Sequence, residues 1–130
     1  MPGCVLRAAS IDFAVEEFLK TSTLQPCDVY RKGEPRGRSG KLYEESGITV
    51  VVSETSGDEL SLQIQDAIEF LEQNRTEIIN LRHFVGSGGI TLDFGIYHKE
   101  VFFVQNYYFP SSLLRLAGEL GLGIELSIYE

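Results

Sequence analysis

A basic, glycine-rich stretch from Tyr30 to Lys41 carries the side chains best suited to binding chemistry. Its basic residues are Arg31, Lys32, Arg36, Arg38 and Lys41. With Glu34 as the one acid, the stretch has a local charge of +4, whereas the whole chain carries −8. Guanidinium groups donate forked hydrogen bonds to oxyanions, and backbone N–H groups near Gly33, Gly37 and Gly40 are able to cradle one. This pattern predicts an anion-binding site formed by Arg31, Lys32, Arg36 and Arg38.

The same stretch has a second interpretation, as a solvated loop whose arginines pair with the chain's own acids. The 19 Asp and Glu residues outnumber the 11 Lys and Arg residues, so acidic partners are abundant. Such surface pairs are common and individually weak. A nucleotide phosphate loop is excluded, because Pro35 stands where its first glycine belongs and Leu42 stands where Ser or Thr is needed. The two interpretations remain open at this point.

Aromatic residues concentrate in a second stretch, where six of the 14 fall within residues 97–109. Tyr107, Tyr108 and Phe109 are consecutive, so they cannot all point inward from an extended segment. Because aromatic side chains are enriched at contact hot spots, we predict an interface formed by Tyr107, Tyr108 and Phe109. Its occupant is either a protein partner or a second copy in a homodimer, and an isolated exposed ring is the alternative.

The sequence contains no recognisable catalytic or metal-binding set. His83 and His98 lack cysteines or carboxylates at ligand spacing, and no Gly-x-Ser-x-Gly elbow occurs. Cys4 and Cys27 are isolated, and their pairing cannot be deduced from spacing. We therefore expect no metal, no cofactor and no catalytic residue, and we expect Cys27 to be buried or half-buried. A non-enzymatic protein is favoured, with an enzyme using Cys27 or His83 left open.

Size and composition predict one globular domain over residues 1–130, with 43% hydrophobic and 23% charged residues. The net charge of −8 argues against duplex nucleic acid as a partner, because the phosphate backbone would repel this surface. No apolar run approaches the length of a membrane span, and the first residues lack a secretory signal pattern. We expect a cytoplasmic protein with no membrane partner.

Hydrophobic periodicity predicts the elements that position these residues. Strands are predicted at residues 4–9, 47–53, 90–97, 101–104 and 124–128. Helices are predicted at residues 13–20, from 60 onward and at 111–120, the second either continuing through Leu81 or breaking near Asn74. Strands with one wet face favour an α+β fold, a ferredoxin-like or related sandwich. Its sheet would be mostly antiparallel, with the helices on one face.

Three short motifs point to a family. They are Leu24-Gln25-Pro26, Arg31-Lys32-Gly33-Glu34, and a C-terminal run from Leu113 to Leu122 followed by Ile124 to Tyr129. With these motifs the chain resembles a bacterial family of small uncharacterised domains, one of the numbered families of unknown function. The resemblance covers nearly the whole chain and implies a fold and a bacterial origin, without an activity.

The leading functional hypothesis is a non-enzymatic protein-interaction or binding module. By analogy with small acidic bacterial proteins that neutralise toxins, it includes an immunity role. The alternative is a regulatory module that binds a small anionic ligand through the loop of residues 31–41.

Overall fold

The computed structural model of the protein describes residues 3–86, 88–100 and 103–130. Segments in which apolar and polar residues alternate form strands, and amphipathic segments form helices. In chain order the elements are β1 (Cys4–Ser10), α1 (Val15–Thr21), β2 (Pro26–Tyr30), β3 (Ser46–Ser53), α2 (Leu60–Gln73), α3 (Arg75–Val85), β4 (Ile90–Tyr97), α4 (Ser111–Leu120) and β5 (Gly123–Tyr129). Within these described ranges, no helix has the length and apolar character needed to cross a membrane.

The strands form an open sheet in the order β2-β3-β1-β4-β5, with β1 at its centre. Leu6 of β1 pairs with Val50 of β3 on one side and with Leu92 of β4 on the other, antiparallel in both cases. β2 is also antiparallel to β3, whereas β4 and β5 are parallel. Parallel neighbours need a crossover, and α4 supplies it between β4 and β5. The predicted α+β fold with a mostly antiparallel sheet is confirmed.

The four helices pack against one face of this sheet. The core takes apolar side chains from each helix and from alternate positions of the central strands, among them Cys4, Leu6, Ala8, Phe18, Ile48, Ile64, Leu71, Ile78, Leu81, Leu92, Phe94, Leu113 and Leu120. Because side chains alternate between the two faces of a strand, the residues between these core positions face the other way. The predicted gathering of helices on one face is confirmed, and no helix covers the opposite face within the described residues.

Strand β2 has no counterpart in the predicted elements. Its residues Pro26, Cys27 and Asp28 include two poor strand formers, so the segment has no local signal for a strand. Pairing with β3 creates it, with Val29 opposite Ile48 and an irregularity between Pro26 and Asp28. The strand is therefore a consequence of tertiary contact.

The long central helical region divides at Asn74. This residue leaves the helical conformation with φ −113° and ψ 21°, and its side-chain amide donates to the Phe70 carbonyl at 2.9 Å. Of the predicted strand at 101–104, Val101 and Phe102 lie outside the described residues. Phe103 and Val104 are irregular and exposed.

Candidate ligand-binding site

The face of the sheet opposite the helices, here called the open face, carries a mixture of polar and apolar side chains. On β1 and β3 they are Val5, Arg7, Thr49 and Val51, and on β4 and β5 they are Thr91, Asp93, Glu125 and Ser127. Residues from four strands therefore converge on one surface, although they lie far apart in the sequence.

The basic stretch forms a structured hairpin between β2 and β3, which we call the basic hairpin (residues 31–45). Pro35 pairs with Leu42, and the Arg36 N–H donates to the Lys41 carbonyl at 2.8 Å. Residues with positive φ in this hairpin are Gly33 (87°), Gly37 (58°) and Gly40 (77°). Such φ values favour glycine, which explains why the stretch is glycine-rich. The predicted loop is thus an ordered element attached to two strands.

A stack of side chains connects the basic hairpin to the sheet. The Tyr30 ring of β2 stacks on Tyr43 of the hairpin, with ring centres 4.6 Å apart and planes inclined by 20°. The Arg36 guanidinium lies 5.9 Å from the centre of the Tyr43 ring, in the range of a cation–π contact. Burial raises the pKa of Tyr30, and the nearby Glu45 carboxylate raises it further. The stack forms a wall at one end of the open face.

Beneath the basic hairpin lies a cavity of about 760 Å³, here called the hairpin cavity. It is lined by Arg7, Asp28, Tyr30, Arg36, Lys41, Leu42, Tyr43, Glu44, Glu45 and Thr49. Among these residues, all within the described part of the chain, neither Arg36 nor Lys41 forms an ion pair with any of the three acids. The cavity therefore presents uncommitted charges of both signs.

Arg7 lies on the floor of the hairpin cavity and is held by two carboxylates. Its Nη1 is 2.5 Å from Asp93 Oδ2, and its Nη2 is 2.6 Å from Glu125 Oε2. The Ser127 hydroxyl donates to the second Asp93 oxygen at 2.7 Å. Burial acts to lower the pKa of Arg7, but the hydrogen bonds to Asp93 and Glu125 outweigh it, so the pKa is raised. Arg7 is thus a fixed positive group and not a mobile one.

A second cavity of about 520 Å³ also lies on the open face. Its lining includes Val5 and Val51, and Tyr97 lies at its side. Val5 pairs with Val51 and Arg7 pairs with Thr49, so both cavities are lined by residues of the same pair of strands. Two positions along a strand correspond to about 7 Å. The strand positions that line the polar cavity and those that line the more apolar one are therefore within the length of a small ligand.

Of the four basic residues predicted to bind an anion, one lines the hairpin cavity. Arg36 lines the hairpin cavity, whereas Lys32 and Arg38 are exposed and do not. Arg31 pairs with Glu16 of α1, and this hydrogen bond raises the pKa of Arg31 and lowers that of Glu16. Arg31 is therefore paired with an acid of its own chain.

Sequence reasoning missed the cavity residues that come from outside the basic stretch. Arg7 interrupts an otherwise apolar strand, and this is the one local signal that a polar site lies on β1. Tyr30 and Tyr43 flank the basic stretch without any pattern that indicates stacking. Their role depends on the pairing that brings the two ends of the hairpin together.

The three consecutive aromatic residues point in different directions. Tyr108 is 77% exposed, whereas Phe109 packs on Phe94 with ring centres 5.4 Å apart. The Tyr107 hydroxyl accepts a hydrogen bond from the Gln105 amide at 2.7 Å. Tyr108 is therefore the member of this group that is open to a partner.

The two cysteines are both free, and their environments differ. Cys4 is buried in the core, and burial raises the pKa of its thiol far above the usual value. Cys27 is exposed, so the expectation of a buried or half-buried thiol was wrong. It lies at the irregularity of β2, an edge strand, where the thiol is not covered by a neighbouring strand.

Within residues 3–86, 88–100 and 103–130, no group of three or more His, Cys, Asp or Glu side chains has the arrangement of a metal site.

Comparison with known proteins gives a family and no individual relative. No curated protein matches the chain, and no solved structure matches it. The sequence profile of the family described as "Domain of unknown function (DUF4279)" matches residues 3–130. The resemblance to a family of small uncharacterised domains is confirmed, and the chain belongs to the DUF4279 family.

Proposed function

We propose that this protein is a non-enzymatic binding module that holds a small ligand on the open face, beneath the basic hairpin. The observation that supports it is the hairpin cavity, which Arg36 and Lys41 line together with Asp28, Glu44 and Glu45 without forming ion pairs with them. A ligand with charged groups of its own is able to form charge-assisted hydrogen bonds with these side chains. The cavity volume of about 760 Å³ is in the range of small-molecule sites.

The lining favours a ligand that carries both an acidic and a basic group, such as an amino acid or the end of a peptide. Arg36 and Lys41 would bind its carboxylate or phosphate, and the carboxylates of Glu44 and Glu45 would bind its amine. A simple anion is less well matched, because three acids line the same cavity and repel it. The Tyr30 and Tyr43 rings supply a flat wall against which a planar or aliphatic group packs.

The second cavity extends this preference to an apolar group. Val5 and Val51 line it, and they lie about 7 Å from the Arg7–Thr49 pair. A charged head beneath the basic hairpin and an apolar tail over Val51 would bury both kinds of surface. Dipeptides with one apolar residue fit this description better than free amino acids do.

Isothermal titration calorimetry with amino acids, apolar dipeptides, inorganic phosphate and nucleotides tests the proposal. We expect a dipeptide to bind, and Arg36→Ala and Lys41→Ala each to weaken binding about tenfold or more, since each removes a charged hydrogen bond. Arg38→Ala is the matched control, because it removes the same charge from the same hairpin outside the cavity. Binding of phosphate or nucleotides alone would favour the simple anionic ligand, and the absence of any binding would contradict a small-ligand module.

A second candidate function is supported by the exposed aromatic segment. Tyr108 is 77% exposed, and Val104 is 68% exposed on the same irregular segment. An acidic protein with such a surface is suited to a basic protein partner in the bacterial cytoplasm, including a toxin that it neutralises.

Co-purification with proteins encoded beside its gene tests this second candidate. We expect Tyr108→Ala to abolish the complex and Leu62→Ala, at a 43% exposed position of α2, to leave it intact. If none of the neighbouring gene products binds, the immunity role is contradicted.

A further inference from the structure

The two edges of the sheet differ in the features that prevent strands from pairing between molecules. β2 has five residues, begins with Pro26, is irregular before Asp28 and carries that charged residue. Proline, charge, irregularity and short length are the usual protections of an edge strand. β5 has seven residues in unbroken register with β4, and it contains no proline or lysine. Within the described residues, β2 therefore carries all four of these protections, whereas β5 carries only the charge of Glu125.

Hydrogen bonding identifies which backbone groups of β5 face outward. The His98 N–H donates to the Tyr129 carbonyl at 2.7 Å, so Tyr129 directs its backbone towards β4. Backbone groups alternate in direction along a strand, so Glu125 and Ser127 also face β4. The N–H and C=O groups of Ile124, Leu126 and Ile128 consequently point away from the sheet. In the part of the chain that the structure describes, no backbone group bonds to them.

We propose that this edge binds a second copy of the chain, with the two β5 strands antiparallel around a two-fold axis at Leu126. Each chain would contribute the same three outward residues, as a two-fold interface requires. Ile124 would pair with Ile128 of the partner subunit, and Leu126 would pair with Leu126 of the partner subunit. The two five-stranded sheets then continue into one sheet of ten strands.

The side chains of β5 fit this register on both faces of the sheet. On the helix side, Ile124, Leu126 and Ile128 of both copies form one apolar seam, which covers Ile128, now 55% exposed. On the open face, Tyr129 lies opposite Gly123 of the partner subunit, where the missing Cβ leaves room for the ring.

Charge also selects this register over the nearest alternative. An axis at Glu125 would set that residue directly opposite Glu125 of the partner subunit, and like charges directly opposite are destabilising. With the axis at Leu126, Glu125 lies opposite Ser127 of the partner subunit instead. Glu125 is in addition already paired with Arg7 at 2.6 Å. The one charge on this edge is therefore neutralised within its own chain.

Light scattering after size exclusion and analytical ultracentrifugation test the proposal on the full chain. We expect a mass twice the 14.5 kDa of one chain. Ile128→Lys places a charge in the seam and should weaken dimerisation at least about tenfold. Ile11→Lys is the matched control, since Ile11 is 58% exposed and lies outside β5. Ile128→Pro removes an outward N–H without breaking the β4 ladder, and should also give monomers that retain their circular dichroism.

Two results would overturn the β5 dimer. One is a monomeric mass for the unaltered chain at concentrations up to about 1 mM. The other is a dimer that survives Ile128→Lys and dissociates with Tyr108→Ala, which would assign the contact to the aromatic segment. Neither result bears on the hairpin cavity, so the dimer proposal and the ligand proposal are tested independently.

Discussion

The Tyr30 ring lies against the backbone of Gly47, so closely that a Cβ at position 47 would be 2.3 Å from the tyrosine hydroxyl oxygen. Glycine on β3 therefore allows Tyr30 of the neighbouring strand to lie flat across the sheet and to stack on Tyr43. Through this stack the basic hairpin is held over the open face. A missing side chain in a strand thus helps to form the cavity in which we place the ligand.

Replacing Gly47 should displace Tyr30 and destabilise the fold. The added Cβ would also lie 2.9 Å from the Ala8 carbonyl oxygen, which belongs to the central strand and cannot move freely. Overpacking of this kind typically costs 1–3 kcal/mol, so we expect Gly47→Ala to lower the free energy of unfolding by about 2 kcal/mol. Urea denaturation followed by circular dichroism measures the change.

Gly118 supplies a matched control for this substitution. It lies within α4, and an added Cβ there meets no atom within 4 Å. Because alanine is the better helix former, Gly118→Ala should raise the free energy of unfolding by about 0.5–1 kcal/mol. Equal effects of the two substitutions would contradict the close contact between Tyr30 and Gly47.

Arg7 and Asp93 should be energetically coupled. Arg7→Met would leave the Asp93 carboxylate, 8% exposed, with Ser127 as its remaining partner. Breaking a buried pair costs 3–5 kcal/mol, but Arg7 is 41% exposed and solvent screens the pair, so we expect a loss of about 2 kcal/mol.

A double-mutant cycle measures this coupling. Adding Asp93→Asn to Arg7→Met removes the uncompensated charge and should recover part of the lost stability. Strict additivity of the two substitutions would show that Arg7 and Asp93 do not interact appreciably. Chemical denaturation of the four proteins provides the required free energies.

Local hydrophobic periodicity was sufficient to predict most of the fold but not the candidate site. The strand around Leu92 and the helix around Ile64 repeat apolar residues at their own periods, so the sequence signal is contained in each element. β2 lacks such a signal, since its strand conformation depends on pairing with β3. Its omission from the predicted elements follows directly from that dependence.

The candidate site depends on long-range pairing even more strongly. The composition of the basic stretch predicts a region that binds charge, but the bridge between Pro35 and Leu42 decides that Arg36 faces the cavity. Arg7 reaches the same cavity because β1 lies beside β3 in the sheet. No spacing within the sequence contains that adjacency, so the predicted set of four basic residues included only one cavity residue.

The two thiols should differ sharply in reactivity. Cys27 is exposed, whereas Cys4 is fully buried and its pKa is raised by burial, which suppresses the reactive thiolate. We expect a disulfide reagent such as Ellman's reagent to modify one thiol per chain quickly under native conditions. The second should react only in denaturant. Cys27→Ser should remove the fast phase, and a fast phase that persists in this variant would contradict the burial of Cys4.

Glu77 should make stability depend on pH in the acidic range. It accepts hydrogen bonds from the Thr23 backbone N–H, from the Thr23 hydroxyl at 2.9 Å and from the Ser22 hydroxyl at 3.1 Å. These bonds lower the pKa of Glu77, the bond from the Thr23 N–H most strongly. They attach the segment after α1 to α3. Glu77→Gln keeps the shape of the side chain and removes the charge, so the variant isolates this effect.

The direction of this pH dependence follows from the lowered pKa of Glu77 in the folded state. In the unfolded chain the carboxyl titrates near its ordinary value of about 4.3, so the unfolded state binds more protons and stability rises with pH in this range. The stabilisation is fully present above that value and is lost as pH falls through the folded-state pKa.

At pH 7 we expect Glu77→Gln to lower the free energy of unfolding by about 1 kcal/mol, less than for a buried charged bond because the site is partly exposed. Glu69→Gln, at an exposed position of α2, is the control and should leave stability nearly unchanged. Denaturation at pH 7 and pH 3 provides the comparison, and a difference between wild type and Glu77→Gln that does not shrink at pH 3 would contradict this role for the carboxylate.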